Sequence, residues 1–421
     1  MRLFAETREI DPVDDLLSYA DPARPLAWLR RGEGFVAVTG SMPAFIRLGA
    51  DPRTPRSATM AAAWRQLAAA ATVVDPVQLP GTGLVGLGAL VFDERSQADS
   101  VLIVPEYVIG TRDGRGWITS IRMHDADASA TPKPRPEGPQ WAATLGPGAQ
   151  DPQGYQESVR QAVAEIDRGD YGKVVLARDL VGTVPADADL RRLARALSTS
   201  YPDTWTYAVD GLIGASPETL ITVHEGTATA RVLAGTIGRG ADAAADEAAS
   251  TSLAFSEKDR NEHQFAVDSV LDALRPSTSA LQAAAEPFVL QLPNLYHLAT
   301  DVAGTLTGDA SSLDLVTALH PTAAVAGTPT PVALDAIARI EPFDRERYAG
   351  PVGWIDDSGD GEWAIALRCA QFERGDVREA SGSSTLAVTA YAGAGIVAGS
   401  DPESELLETR VKFRPLVDAL A

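Results

Sequence analysis

Four carboxylates stand in two matching pairs. In SEKDRNEHQFAVDSVLDAL, Asp259 and Glu262 are three residues apart, and in DPESELLETRVK, Glu405 and Glu408 repeat the interval. On a helix that spacing sets each pair on one face. Two such faces brought together suit a hard cation such as Mg2+, which takes oxygen ligands, keeps some waters and leaves room for an anionic group of a substrate. Taken singly, each pair reads as a solvated surface. Glu408 with Lys412 at i, i+4 also reads as an ordinary helix ion pair.

The second pair follows AGAGIVAGS, where Gly393 and Gly395 are expected to form a turn between a strand and a helix. Such a turn can hold a dinucleotide phosphate. The spacing here is Gly-x-Gly-x-x-x-Gly, and neither the second parallel strand nor the acid of a dinucleotide-binding unit is read after the helix. That reading is rejected. Other short patterns fail in the same way. GASPE at 214–218 lacks the second glycine of a nucleophile elbow, so Ser216 reads as a turn residue. DDSGDGE opens like a calcium loop, but Leu367 stands where the closing glutamate belongs, which leaves a hairpin turn. The five histidines show no zinc spacing. A histidine in an apolar strand, such as His297, is usually a satisfied core residue.

Composition narrows the partners. With 421 residues, 45% of them apolar, the chain can bury a large core. A net charge of −21 opposes nucleic acid, whose binding depends on Lys and Arg neutralising phosphates. A small anionic ligand would need its positive partners gathered in one place. The single cysteine, Cys369, excludes an internal disulfide and sits in the apolar run WAIALRCAQF, where a buried thiol is expected. The opening MRLFAETREIDPVDD lacks a basic start with a long apolar segment, and no apolar run reaches membrane-spanning length. The expectation is a cytoplasmic protein with no membrane partner.

The elements that must position these acids alternate between strands and helices. Residues 1–127 carry strand-like runs (GFVAVTG, GLVGLGALVF, SVLIVPEYVIG) and one Ala-rich helix, and the Pro-rich ASATPKPRPEGPQ is a surface connector. Beyond it come a helix, YQESVRQAVAEIDRGD, and many strands joined by short turns such as DG and HEG, the sign of antiparallel hairpins. Further helices are expected at 258–274, 311–318, 329–338 and 403–419.

Taken in order, KVVLAR, GASPE, RVLAGTIGRG, EKDRNEH, YHLATDVAGTL, LHPTAAVAGTP, YAGPVGWIDDSGDGEWAIALR and AGAGIVAGSDPESELLETRVK resemble the chorismate-utilising enzymes. Within them the chain is similar to the isochorismate synthases. The resemblance covers roughly residues 155–421, and such an ordered set is far more specific than one motif. It implies an α/β fold of the α+β type, with two large, mainly antiparallel β-sheets packed as a sandwich and helices outside. Residues 1–421 would form one domain, with 1–150 the less informative part of the sandwich and 151–421 the motif-bearing part.

The resemblance also implies roles. Glu262 and Glu408 match positions that ligate Mg2+, with Asp259 and Glu405 acting through water, and the ion would hold the ring carboxylate of chorismate. Gly393 and Gly395 would bring backbone N–H groups toward that carboxylate. Arg368 and Tyr348 match a pair that grips the enolpyruvyl carboxylate, where the planar fork of arginine is apt. Lys412, Gly235, Thr236, His297 and Ala324 would complete the pocket. Lys173 matches a lysine that activates water for attack at C2, and Glu218 an acid that protonates the departing C4 hydroxyl. That chemistry needs the lysine pushed down and the carboxyl pushed up in pKa.

Lysine at 173, where ammonia-using relatives generally have glutamine, favours water as nucleophile. Alanine at 324, where pyruvate-eliminating relatives tend to carry threonine, favours release of isochorismate. A salicylate synthase and a non-catalytic binder of chorismate-like anions remain alternatives. Quinone, siderophore and salicylate synthesis all stay open as destinations of the product. The resemblance favours a monomer.

Overall fold

The computed structural model describes residues 2–40, 44–49, 54–127, 129–291, 295–373, 377–378 and 384–421. Hairpins with one kind of turn build much of it. Asp113–Gly114, Asp210–Gly211 and Glu225–Gly226 each hold two successive residues at positive φ, 51° and 71°, 50° and 84°, 50° and 69°. A two-residue turn of that hand follows the twist of the strands it joins, and glycine takes the second position without a steric cost. The turns link Tyr107–Arg112 to Arg115–Met123, Trp205–Val209 to Leu212–Ser216, and Thr219–His224 to Thr227–Gly238. DDSGDGE is the expected hairpin turn, between Pro351–Asp356 and Gly361–Ile365.

Among the described residues the strands form a 14-stranded and a 10-stranded sheet. Pairings are antiparallel apart from that of Leu3–Ile10 with Thr72–Val74. Strands from before and after residue 150 meet in both sheets. Leu26–Arg30 pairs with Trp205–Val209 in the larger, and Val85–Ala89 with Pro351–Asp356 in the smaller. An apolar layer lies between the sheets, where Phe35 of the larger meets Trp354 of the smaller edge to face, 5.8 Å between ring centres. One carboxylate shares this layer. Glu362 accepts from Trp28 Nε1 at 2.8 Å, Trp354 Nε1 at 3.1 Å and Arg112 at 3.2 Å. A buried charge is tolerated only when its oxygens are satisfied, and these are.

Eight helices among the described residues cover the sheets: α1 Arg56–Ala70, α2 Pro152–Asp167, α3 Arg191–Ser200, α4 Ala243–Phe255, α5 Glu257–Leu274, α6 Ser312–Leu319, α7 Thr330–Ile340 and α8 Pro402–Leu420. The expected helices correspond to α1, α2 and α5 to α8. The sequence reading does not anticipate α3 or α4. Leu193, Ala194 and Leu197 are buried between arginines in α3, and α4 buries only Leu253, so neither displays a long apolar stripe. None of the described helices is long and apolar enough to cross a membrane.

The Pro-rich connector is irregular, as expected, but it is firmly bound. Arg191 donates to the carbonyls of Ser18, Arg135 and Pro136 at 3.2, 3.3 and 2.7 Å. Its ion-pair partner Asp189, at 2.6 Å, accepts from Gly138 N at 2.8 Å. The strap ends on α8, where Ala143 N donates to Leu420 O at 2.8 Å.

Asp356 begins the DDSGDGE turn. Burial pushes its carboxyl up to about 7, against hydrogen bonds from Ser358, and the neighbouring Asp360 and Asp357 add to the rise. Unfolded, the group titrates near 3.8. Between the two values the native state holds the extra proton, so this group makes stability fall as pH rises through that window. Asp356→Asn keeps an acceptor for the Ser358 and Asp360 N–H groups. It is expected to flatten the dependence of Tm on pH between about 4 and 7. Equal slopes in both proteins would show an ordinary carboxyl.

Candidate functional site

Two places where the chain leaves one sheet for the other frame a pocket. Pro217 and Glu218 connect Leu212–Ser216 of the larger sheet to Thr219–His224 of the smaller, and residues 366–368 connect Gly361–Ile365 back to Cys369–Phe372. Ser216 ends the strand Leu212–Ser216, paired with Trp205, and is not the expected turn residue; it fixes the first crossing. Its hydroxyl donates to Ile365 O at 2.6 Å and accepts from Glu218 N at 3.2 Å. Arg368 stands in the second crossing at φ 48°, a left-handed conformation that non-glycine residues seldom hold outside turns and sites.

The pocket between them is a small cavity of about 120 Å³, partly open to solvent. Of the residues singled out from the sequence, Glu218, Ala324, Tyr348, Gly393, Gly395 and Lys412 line it. Arg368 is not among the lining residues, although its neighbour Leu367 is. The Arg368 guanidinium is partly buried, and burial holds its pKa below the ordinary value with Tyr201 opposing.

Lys173 opens the strand Lys173–Pro185, which pairs with Ser384–Ile396 so that Val175 faces Gly395 and Ala177 faces Gly393. The two glycines therefore lie inside an extended, paired strand and do not form the expected turn. The turn comes after them, where Ser400 N donates to Val397 O at 3.1 Å. A Cβ on Gly395 would stand 3.2 Å from Lys173 Cε, and one on Gly393 would stand 2.7 Å from Leu176 O. Bare backbone at 395 is thus the floor under the lysine. At Gly393 the engaged group is the carbonyl, which accepts from Lys412 Nζ at 2.8 Å. This departs from the expectation of an N–H presented to an anion.

Glu218 is partly buried and exposes itself at the pocket it lines. Burial pushes its carboxyl above the ordinary range, while the charges of Lys173 and Lys412 pull it down. Burial prevails, which favours a carboxylic acid able to give up a proton beside two amines. Tyr348 is buried and stacks on Tyr391 with ring centres 5.1 Å apart. Burial raises the pKa of its hydroxyl, so Tyr348 stays a neutral donor.

Arg345 also lines the pocket, yet its guanidinium is committed elsewhere. It donates to Glu341 at 2.8 and 2.6 Å, to Val325 O at 2.9 Å and to Val175 O at 2.7 Å. Glu341 in turn accepts from Ala177 N at 2.7 Å. The pair locks the strand of Lys173 to the segment bearing Ala324. Sequence reasoning missed it; the only signal was an i, i+4 spacing in EPFDR, beyond the end of α7.

His297 is half-buried and joins the site from the smaller sheet. Burial holds its imidazole below the ordinary value; a hydrogen bond to the Gly235 main chain opposes this, and the charges of Lys173 and Lys412 add to it. That the charges of both lysines act on it sets His297 apart from a histidine packed only in the core. Gly235, at φ 74°, occupies a bulge in the pairing of Thr227–Gly238 with Leu295–Leu306. A Cβ there would come 3.3 Å from Asp259 Cβ, so the bulge admits the first turn of α5. The side chains of Thr236 and Glu262 lie outside the described residues.

The second acid pair heads α8. Glu405 is half-buried, and burial raises its pKa, with a Ser400 hydrogen bond opposing and Glu408 adding to the rise. Glu408 is exposed and ion-paired with Lys412 at 2.7 Å. Among the described residues no three acid, histidine or cysteine side chains gather as a metal site. The donor chemistry nevertheless fits Mg2+: all four candidates are carboxylates, and the crowding of Glu405 by Glu408 is a repulsion that a cation would relieve.

Comparison with known proteins agrees with this arrangement. The family described as chorismate binding enzyme matches residues 2–421. Isochorismate synthase DhbC of Bacillus subtilis is 38% identical over 282 residues, 64% of this chain and 68% of that protein. A Mycobacterium tuberculosis protein assigned as isochorismate synthase MenF is 37% identical over 352 residues, 81% of this chain and 87% of its own. The crystal structure of a Bacillus anthracis protein assigned as a 2,3-dihydroxybenzoate-specific isochorismate synthase, DhbC, superposes with a TM-score of 0.72 at 32% identity, covering 96% of this chain and 98% of that one. Sequence, sheet architecture and pocket point the same way, and the chain belongs to the chorismate binding enzyme family.

Proposed function

We propose that this protein is an isochorismate synthase, a Mg2+-dependent isomerase that converts chorismate to isochorismate, acting in the cytoplasm as a monomer with residues 1–421 folded as one unit. The observation that carries the reading is Glu218 in the pocket, an acid whose carboxyl burial keeps up against the charges of Lys173 and Lys412, with Lys173 lying over the pocket-lining Gly395. The pairing of strands from both halves of the chain supports the single unit.

Lys173 accepts a proton from water as the water oxygen bonds to C2 of the ring. The two ring double bonds shift, the C4–O bond breaks, and Glu218 protonates the departing hydroxyl. One water enters and one leaves, so the net change is isomerisation. Arg368 and Tyr348 receive the enolpyruvyl carboxylate. Lys412, His297, Gly235, Thr236 and Ala324 shape the rest of the pocket. Mg2+ held by Glu262 and Glu408, with Asp259 and Glu405 through water, would neutralise the ring carboxylate. Lys173 and Lys412 concentrate positive charge where a chain of net charge −21 otherwise repels a dianion.

Incubation with chorismate and Mg2+ is expected to yield isochorismate, and Lys173→Ala to lower turnover by about 10²- to 10⁴-fold, the usual worth of general-base catalysis. Salicylate and pyruvate appearing without an added lyase would replace this reading with a salicylate synthase. Ligand binding without turnover in the wild type would leave a mere binder. Glu262→Ala and Glu408→Ala should each abolish turnover even at saturating Mg2+, because the substrate carboxylate loses its anchor; near-normal activity in either would remove that residue from the metal site. The glycines separate packing from positioning. Gly393→Ala sets a methyl against backbone and should lower both Tm and activity. Gly395→Ala meets only the flexible Lys173 side chain, so activity should fall with little change in Tm.

A further inference from the structure

The strand that begins with Lys173 carries a second cation on its opposite face. Arg178 is 4% exposed, and burial depresses its pKa. Among the described residues no carboxylate pairs with it. A cation so placed is costly without partners, and an apolar residue would fill the space more cheaply. Its side-chain hydrogen bond and its ring contact are both with one helix, α8. Arg178 Nε donates to Thr409 Oγ1 at 2.8 Å, and its guanidinium lies 4.9 Å from the ring centre of Phe413. Thr409 is fully buried, and its hydroxyl donates to Leu406 O at 2.7 Å.

Thr409 and Phe413 each follow by one residue Glu408 and Lys412, an ion pair whose lysine lines the pocket. One residue is a fixed rotation about a helix axis, so gripping 409 and 413 sets the direction of 405, 408 and 412. We propose that Arg178 is a positioning residue that fixes the rotation and depth of α8 on the larger sheet, so that its acids and Lys412 face the pocket. This rests on the reading of those acids as Mg2+ ligands. The arginine shares its strand with Lys173, which makes one element the reference for both the base and the cation site.

The test measures Mg2+ binding to the chorismate-free protein by isothermal titration calorimetry, with Tm alongside. Arg178→Met is expected to weaken Mg2+ binding about tenfold or more, the usual effect of losing a residue that orients metal ligands. Arg178→Lys, which keeps the charge but lacks the fork, should recover only part. Thr409→Val, which removes the acceptor while keeping the shape, should weaken binding in the same direction and serves if Arg178→Met does not fold. Arg56→Met is the control. Arg56 is equally buried but holds the carbonyls of Glu94 and Ser96, so Tm should fall while Mg2+ affinity stays unchanged. Wild-type affinity in folded Arg178→Met or Thr409→Val overturns the role of Arg178. Wild-type protein that binds no Mg2+ overturns the metal reading itself.

Discussion

Twelve consecutive antiparallel pairs, from Val174 opposite Ile396 to Pro185 opposite Thr385, hold the two ends of the motif-bearing region in one register. The pairing sets Lys173 above Gly395, presents the Gly393 carbonyl to Lys412, and leads the chain into α8 at a defined point. A slip of one residue would turn every side chain of either strand to the other face of the sheet. Val175 would then leave the pocket, Lys173 would lose its place over Gly395, and Arg178 would turn to that face. The glycines belong to the same constraint, because at Gly393 the neighbouring backbone leaves no room for a side chain.

Charge is managed by separating groups with different surroundings. Glu362 and the Glu341–Arg345 pair are buried with their oxygens and N–H groups matched, and they tie elements together. Such pairs fix geometry more than they add stability, but removing one partner strands the other at a cost of about 3–5 kcal/mol. Among the described residues Glu218 has no such set of partners, and burial pushes its carboxyl up. Its position at a crossing between sheets explains the contrast. The chain there leaves one ladder before entering the next, so a side chain can be desolvated without being packed into either core.

Much of the fold is written in short stretches. The Asp-Gly and Glu-Gly turns require two left-handed residues and receive them at Asp113–Gly114, Asp210–Gly211 and Glu225–Gly226. The first two turns of α5 and α8 carry their acids at helical spacing under Ser256 and Asp401 caps. Helices α3 and α4 were not legible, since one is short and arginine-rich and the other buries a single leucine. Within the site, the residue types were readable through resemblance. The Arg345–Glu341 lock was not, because three of its bonds go to main-chain atoms distant in sequence, which look alike in any sequence.

The sequence by itself determined where strands turn back, which helix faces bear acids, and that positive charge must be gathered against a strongly negative background. These follow from backbone sterics and periodicity acting over a few residues. Only the tertiary structure decided that Gly393 and Gly395 lie in a strand, that Glu218 stands where two sheets exchange the chain, and that His297 feels both lysines. Those outcomes depend on pairing between segments more than a hundred residues apart and on how much water such pairing excludes, which no local pattern records.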